Sequence, residues 1–389
     1  MNTDQHSRKN TNRGYISKRT WAWIWLALRL YTLLCGALAA YIANTGLLAV
    51  WERWDAVYYV RIASVGYSAA DGTTTFHPLF PWLARPLSWL GVGPVISLLL
   101  VSSCAALALY PAFERLALLD QSAVKARMAT LLFMFWPVSY VLYLPYTESL
   151  WLLFAVLCFL YARQGRWWSA GAIGALATLT RQQGLFLLAP LAWEFLEAER
   201  FNFKHALARW RCWFSLALIP LVYLGWIISR SLALEHVKPD FSSFGAFISS
   251  TLISPASHLV VKDVAFIWPW KAAYLAIQRA LSLSYVNPWM DLGLGLVFLL
   301  LIALAWRNMR ASSRIYVSTI AVVSFSFHTG MTPTGGAYIS LPRHLLLAFP
   351  VFIGLASRFT PRWLWVVIIL GTAMITFLLF GYFWMRLVP

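Results

Sequence analysis

The chain has 389 residues and a net charge of +17; 60% of its residues are hydrophobic and only 12% are charged. A soluble domain would carry about 25% charged residues, so the composition excludes an ordinary soluble protein. Apolar runs of about 17–25 residues recur between short basic segments, as in a helical bundle in a bilayer, because lipid offers the backbone no hydrogen-bond partners. The sequence therefore predicts an all-α polytopic membrane protein.

The apolar runs predict about eleven transmembrane helices after a polar, basic tail at residues 1–20. This tail is too long, and the apolar stretch after it too extended, for a cleavable signal peptide. We interpret residues 21–389 as a single transmembrane domain. Its first span lies within residues 21–50, and the others cover residues 91–112, 128–144, 148–161, 167–179, 184–196, 212–229, 291–306, 315–327, 341–356 and 363–383.

The distribution of Lys and Arg predicts which segments face the cytoplasm. With the N-terminus inside, 19 of the 31 basic residues fall in the tail and in short cytoplasmic loops, as the positive-inside rule requires. Segments 51–90 and 230–290 are then extracytoplasmic. Because topology explains most of the basic charge, we expect no nucleic-acid partner. The sequence contains no Asn-x-Ser/Thr sequon, which favours a bacterial plasma membrane.

The first outer loop contains a short helical pattern over residues 55–64, which Gly66 ends. Its apolar side is predicted to comprise Val57, Val60 and Ala63. Asp55 opens the helix, and Tyr59 shares its face four residues later. A helix lying on the outer surface would hold the Asp55 carboxylate at headgroup depth. The alternative is an interfacial anchor helix in which Asp55 is only the N-cap.

Two other outer carboxylates, Glu148 and Asp291, each begin a predicted span. A carboxylate at this place favours the positive end of the helix dipole and can satisfy free N–H groups. We interpret both as structural helix starts.

The first outer loop also carries a motif: Trp54-Asp55, Tyr59, Ile62-Ala63, Gly66-Tyr67 and Phe76-His77-Pro78-Leu79-Phe80-Pro81. This motif resembles the signature of the PIG-V family, the second mannosyltransferase of GPI-anchor synthesis and its bacterial relatives. Two later stretches resemble further family motifs, Thr180-Arg181-Gln182-Gln183-Gly184 and Pro342-Arg343-His344. The sequence departs from the family at His77, where a second aromatic is common, and at the Gln182-Gln183 pair.

The resemblance implies a GT-C type glycosyltransferase with about eleven transmembrane helices and amphipathic helices in its first outer loop. Such an enzyme takes a sugar, here mannose, from a polyprenyl-phosphate carrier and transfers it to a lipid or glycan acceptor at the non-cytoplasmic face. Family knowledge makes Asp55 the catalytic carboxylate. The other residues of the motifs are expected to contact substrate: Trp54, Tyr59, Arg61, Tyr67, Gln182 and His344.

The chemistry of inverting transfer agrees with these residue types. A base must take the proton of the acceptor hydroxyl, and positive charge must meet the leaving phosphate. Asp55 can be the base, while Arg181, Arg343 and His77 are candidates for holding the phosphate. We expect about 6–10 Å between the carboxylate and the nearest guanidinium, with the sugar ring between them. The alternatives are that the arginines only pair with outer carboxylates and that His77 is structural.

The sequence lacks an Asp-x-Asp pair and a His/Cys cluster at metal-ligand spacing, so we expect neither metal nor cofactor. The alternative that Glu52 and Asp55 together bind a divalent cation is left open. The segment 230–290 mixes aromatic and basic residues, which suit either acceptor binding or an interfacial helix. Two other function classes are a transporter of lipid-linked sugars, which predicts repeated halves that the sequence lacks, and a non-catalytic subunit of a glycosylation complex.

Overall fold

The protein is described from a computed structural model, which covers residues 18–251, 255, 257, 260, 264–282, 286–329, 338 and 340–385. Most of the predicted tail lies outside these residues, and residues 18–20 belong to the first helix. The first half contains helices α1 (Lys18–Ile42), α2 (Asp55–Ser64), α3 (Leu79–Leu87), α4 (Pro94–Ala117), α5 (Ala123–Met134), α6 (Glu148–Arg163), α7 (Trp167–Thr180), α8 (Leu188–Ala198) and α9 (Phe203–Ala208).

The second half contains helices α10 (Trp210–Ser229), α11 (Phe244–Thr251), α12 (Pro269–Ser282), α13 (Val286–Ala305), α14 (Ala311–Ser326), α15 (Leu341–Leu346), α16 (Pro350–Ala356) and α17 (Pro361–Phe380). One antiparallel ladder joins β1 (Val264–Phe266) to β2 (Phe327–Thr329), with Ala265 opposite His328. The predicted all-α architecture is therefore confirmed apart from this short ladder.

Within the part of the chain that the structure describes, five helices are long and apolar enough to cross a bilayer: Arg19–Ile42, Pro94–Ala117, Trp210–Leu234, Pro288–Asn308 and Pro361–Trp384. The predicted number of about eleven is not confirmed, because several predicted spans form shorter helices. Helix α6 has 16 residues, α7 has 14 and α8 has 11. At a rise of 1.5 Å per residue, a helix of this length falls short of a hydrocarbon core about 30 Å thick.

Two predicted spans, 128–144 and 341–356, are broken instead of continuous. Helix α5 ends at Met134, and a 3₁₀ helix over Pro137–Tyr143 follows at an angle of 78°. Pro350 likewise begins α16 after α15 has ended. Proline lacks an N–H, so neither Pro137 nor Pro350 can continue the hydrogen bonds of a preceding helix. At the first break Trp136 is also extended, as is usual for a residue before proline. The first break leads the chain to Glu148, and the second isolates the short helix that carries Arg343.

The core of the bundle is a row of closely packed helices: α4 packs on α6, α6 on α7, and α7 on α10. The last contact depends on Gly171, where a Cβ atom would lie 1.9 Å from the backbone oxygen of Ser215. Small residues allow helices to approach this closely in membrane proteins. This row supports the ends of α6 and α7, where Glu148 and Arg181 lie.

The first outer loop folds into two short helices, α2 and α3, which pack on each other and on α4. Helix α2 begins at Asp55 as predicted, and Gly66 follows it with a φ of +97°. The predicted apolar side was right at Ala63, which is buried, and wrong at Val57, which is exposed. The buried face contains Tyr59, whose ring packs edge-on against Phe76 and Phe80. This face packs inward because aromatic rings bury more apolar area than a valine side chain does.

Candidate functional site

Four charged side chains from different parts of the chain meet in the structure, and we call Asp55, Glu148, Arg181 and Arg343 the Asp55 cluster. Arg343 donates from Nη2 to Asp55 Oδ2 at 2.6 Å, and its Nε lies 3.1 Å from Glu148 Oε1. The same Glu148 oxygen pairs with Nη1 of Arg181. The cluster is thus a continuous chain of alternating charges with two arginines and two carboxylates.

The expected gap of about 6–10 Å between Asp55 and the nearest guanidinium is not observed. Asp55 and Arg343 form a direct ion pair at 2.6 Å, because opposite charges attract strongly where water is scarce. The side chain of Asp55 is 30% exposed, compared with 7% for Arg343, so the carboxylate is the open end of the cluster.

Strained backbone precedes both partners of this ion pair. Trp54 has a φ of +53° directly before α2, and Ser340 has a φ of +58° directly before α15. Bulky residues rarely adopt positive φ, and such strain persists only where the surrounding structure enforces it, often at functional sites. Trp54 also lines a cavity of about 450 Å³ together with Thr45, Ala49, Glu52, Arg53 and Val57.

Arg181 lies on extended backbone between α7 and a 3₁₀ turn over Gln182–Leu187. The turn requires Gly184, since a Cβ atom there would lie 2.4 Å from the backbone nitrogen of Thr178. Arg181 also donates from Nη1 to Thr147 Oγ1 at 3.1 Å and from Nε to Gln183 Oε1 at 3.3 Å. The motif residues around Arg181 therefore fix the position of its guanidinium.

Sequence reasoning missed the part that Glu148 plays. The residue begins α6, as predicted, but its side chain is only 1% exposed and contacts both arginines. Its Oε2 atom has no hydrogen-bond partner among the described residues. The signal in the sequence was a lone carboxylate between two apolar runs, where an ionisable side chain requires a specific partner.

His77 lies beside the cluster but is held by other groups. Its Nδ1 donates to the backbone oxygen of Thr178 at 2.7 Å, and its ring stacks on Tyr223. Burial lowers the pKa of His77 to about 4, with a smaller contribution from the nearby Arg230 and Arg181 and an opposing one from the hydrogen bond. The ring is therefore neutral near pH 7 and supplies no positive charge to a phosphate.

The structure places the other predicted substrate residues in different surroundings. Tyr59 is buried on α2, and His344 lies next to Arg343 on α15. Arg61 pairs instead with Asp71 at the surface, because six residues along a helix place it on a different face from Asp55. Of the remaining two, the Tyr67 hydroxyl donates to the backbone oxygen of Phe76 at 3.2 Å, and Gln182 is exposed.

Among the residues that the structure describes, no three His, Cys, Asp or Glu side chains form a group that could hold a metal ion. The chemistry available to the cluster is that of carboxylates and guanidiniums. A carboxylate can accept a proton, and a pair of guanidiniums can bind a phosphate through several charge-assisted hydrogen bonds.

Several known proteins are similar to this chain in sequence or in fold. GPI alpha-1,6-mannosyltransferase 2 of Mus musculus is 35% identical over 159 residues, which cover 37% of this chain and 31% of that protein. The protein of the same name from Cricetulus griseus is 29% identical over 272 residues, which cover 65% of this chain and 50% of that protein. The chain thus spans half or less of the length of these relatives.

The crystal structure of ArnT from Cupriavidus metallidurans in the apo state matches 92% of this chain and 64% of its own, with a TM-score of 0.52 and 14% identity. This likeness concerns the fold alone and confirms the expected GT-C type architecture. The family model described as mannosyltransferase (PIG-V) matches residues 26–233, which is more than half of the chain. The chain is therefore a member of the PIG-V mannosyltransferase family.

Proposed function

We propose that the protein transfers mannose from a polyprenyl-phosphate carrier to a lipid or glycan acceptor at the extracytoplasmic face of a bacterial plasma membrane. The observation that carries the proposal is the Asp55 cluster, which joins a partly open carboxylate to two buried guanidiniums. Family membership supports the class of reaction, and the Lys/Arg distribution supports the face.

The reaction follows from the chemistry of the cluster. The Asp55 carboxylate takes the proton of an acceptor hydroxyl while that oxygen attacks the anomeric carbon of the sugar. The bond from this carbon to the phosphate oxygen breaks on the opposite side, so the configuration inverts. The electron pair leaves with polyprenyl phosphate, and Arg181 and Arg343 stabilise the charge that develops on it.

An apolar cavity of about 520 Å³ between α12, α13 and α14 supports a prenyl donor. It is lined by Trp270, Ile277, Trp289, Leu296, Phe325 and Tyr338, among others. Two of its walls, α13 and α14, pack against α15, the helix that carries Arg343. A prenyl chain gains about 0.8 kcal/mol for each CH₂ group that it buries, and a groove open to lipid lets the chain stay in the membrane.

The experiment is a transfer assay with purified protein in liposomes, a labelled short-chain prenyl-phosphate mannose, and a lipid extract as acceptor source. We expect Asp55→Asn to lower turnover by about 10²–10⁴ and to leave donor binding intact, because the shape is kept and the base is lost. Asp71→Asn, in the same loop but paired with Arg61 at the surface, is the matched control and should keep activity.

Activity of Asp55→Asn near that of the wild type would contradict the assignment of the base. Movement of the labelled lipid across the membrane without transfer would instead indicate a transporter. We propose that no metal takes part, so the rate should be the same in excess EDTA. A strict requirement for Mg²⁺ or Mn²⁺ would point to Glu52 and Asp55 as ligands.

A further inference from the structure

We propose that Glu148 is a positioning residue that holds Arg181 and Arg343 together as a preformed site for the donor phosphate. Asp55, at the other end of the same chain of charges, is in contrast the carboxylate that the phosphate displaces from Arg343. This inference rests on the proposed function and assigns opposite roles to the two carboxylates in donor binding.

The contacts of Glu148 are those of a fixed counter-ion. One oxygen, Oε1, contacts both guanidiniums, which would repel each other at this distance without a shared negative charge. Its side chain is 1% exposed, whereas that of Asp55 is 30% exposed. An entering phosphate can therefore reach the Asp55–Arg343 pair without first disturbing Glu148.

The two neighbours of Glu148 point to the same role. The ring of Tyr146 lies 5.1 Å from Cζ of Arg343, within the range of a cation–π contact. Thr147 accepts a hydrogen bond from Arg181 at 3.1 Å. Three consecutive residues thus each contact one or both arginines, and the tyrosine hydroxyl is itself tied to the backbone oxygen of Arg53. The segment 146–148 is a scaffold for the two guanidiniums.

The charges of the cluster define what the exchange at Arg343 changes. With two arginines and two carboxylates the cluster is formally neutral, and the donor is a phosphodiester with one negative charge. When the phosphate takes the place of Asp55 on Arg343, the number of ion pairs is kept and the carboxylate is released. Asp55 is then free to accept the acceptor proton, so donor binding and activation of the base become one event.

The test measures equilibrium binding of short-chain prenyl-phosphate mannose to purified variants in liposomes. We expect Glu148→Gln to weaken the affinity about tenfold or more, because the guanidiniums lose their common anion and separate. Asp55→Asn should bind as tightly as the wild type or more tightly, since a competitor for Arg343 is removed. Glu148→Asp, which keeps the charge, should restore part of the affinity.

A matched control is Glu114→Gln. Glu114 is only 3% exposed, and its carboxylate accepts a hydrogen bond from Trp21 on another helix. Donor affinity should not change in this variant, even if its melting temperature falls. Thr147→Val provides a second test that keeps Glu148 and should weaken the affinity a few-fold by releasing Arg181.

Unchanged or tighter donor binding by folded Glu148→Gln would overturn the inference. If that variant does not fold, unchanged binding by Thr147→Val would do so. Failure of the proposed function would look different, because the wild-type protein itself would then neither bind the donor nor transfer mannose.

Discussion

A second network of charges, built around a buried glutamate, lies elsewhere in the protein, and its contrast with the Asp55 cluster suggests how structural and functional ion pairs differ. We call it the Glu194 network, and its members are Asp120, Arg163, Glu194, Glu197 and Arg310. Both groups join residues from distant parts of the chain, and both centre on a glutamate that is nearly inaccessible, at 6% exposure for Glu194 and 1% for Glu148.

The two glutamates differ in how completely their oxygens are paired. Glu194 Oε1 accepts from Ser312 at 2.5 Å and from Arg310 at 3.3 Å, and Oε2 accepts from Arg310 at 3.5 Å. Arg163 reaches Asp120 through two hydrogen bonds, at 3.1 and 2.9 Å. The Asp55 cluster in contrast leaves Glu148 Oε2 without a partner among the described residues. Positive φ does not separate the two groups, because Arg200 and Phe201, just after the helix that carries Glu194, also have positive φ.

Buried ion pairs cost desolvation energy, so a network that only joins helices is best when every oxygen is paired. The Glu194 network fits that description and ties the ends of α6 and α8 to the start of α14. In an incompletely paired cluster with one partly exposed carboxylate, polar atoms stay available for hydrogen bonds and ion pairs with another molecule. Incomplete pairing, more than burial alone, is therefore the feature that we expect of a functional site.

The prediction with the largest expected effect concerns membrane topology. The two networks are expected on opposite sides of the membrane. Ala70 in the first outer loop and Gln164 after α6 are both exposed. A membrane-impermeant maleimide should label Ala70→Cys in intact cells and Gln164→Cys only after lysis. The parent chain serves as background because it has four cysteines of its own. The reverse pattern would place the Asp55 cluster in the cytoplasm.

Local sequence signals predicted the pieces of the site but not their assembly. The start of α2 at Asp55 followed from a helical period, and the end of α7 next to Arg181 followed from the end of an apolar run. The pairing of Glu148 with Arg181 and Arg343 depends on the packing of α6 against α7 and of α15 against the 3₁₀ helix over Pro137–Tyr143, which no local pattern encodes. The helix-start interpretation therefore described the backbone of Glu148 correctly and missed its side chain.

The broken spans show a second limit of prediction from the sequence. Pro137 and Pro350 were visible in the sequence, but a hydropathy window averages over them, so two bent segments were predicted as straight spans. His77 is a third case. Its partner, the oxygen of Thr178, belongs to the last turn of α7, where carbonyl groups lack intrahelical partners. An unpaired carbonyl of this kind attracts a donor from any neighbouring loop, and the sequence does not say which.

A smaller effect is expected when each network is changed separately. We expect the Asp55 cluster to support donor binding and the Glu194 network to support stability. Arg181→Lys should raise the donor KM about tenfold, because an ammonium cannot reproduce the fork that contacts Glu148, Thr147 and a phosphate. Glu194→Gln should leave the donor KM unchanged and lower stability by about 1–3 kcal/mol, since Arg310 and Arg163 lose a charged acceptor. The measurements are steady-state kinetics and thermal unfolding of both variants. A raised donor KM in Glu194→Gln would remove the distinction.

The smallest expected effect concerns His77, which lies next to the Asp55 cluster without belonging to it. Its pKa falls from an ordinary value of 6.5 to about 4 in the folded protein, chiefly through burial. Between these values the unfolded chain binds a proton that the folded protein does not, so this residue makes stability fall as the pH drops from 6.5 towards 4. Above pH 6.5 the histidine is neutral in both states, and this pH-dependent loss is absent.

His77→Phe keeps an aromatic ring next to Tyr223 and removes the titrating group. We expect the melting temperature of the variant to fall less than that of the wild type between pH 7 and pH 5, while carboxylates and other histidines contribute equally to both. At pH 7 the variant should be slightly less stable, because the oxygen of Thr178 loses its hydrogen bond. An identical pH dependence in the two proteins would mean that the pKa of His77 is the same in the folded and unfolded states, so that the folded protein has a charged ring below pH 6.5. The ring would then bring positive charge to the cluster, and the phosphate contact predicted from the sequence would regain its physical basis.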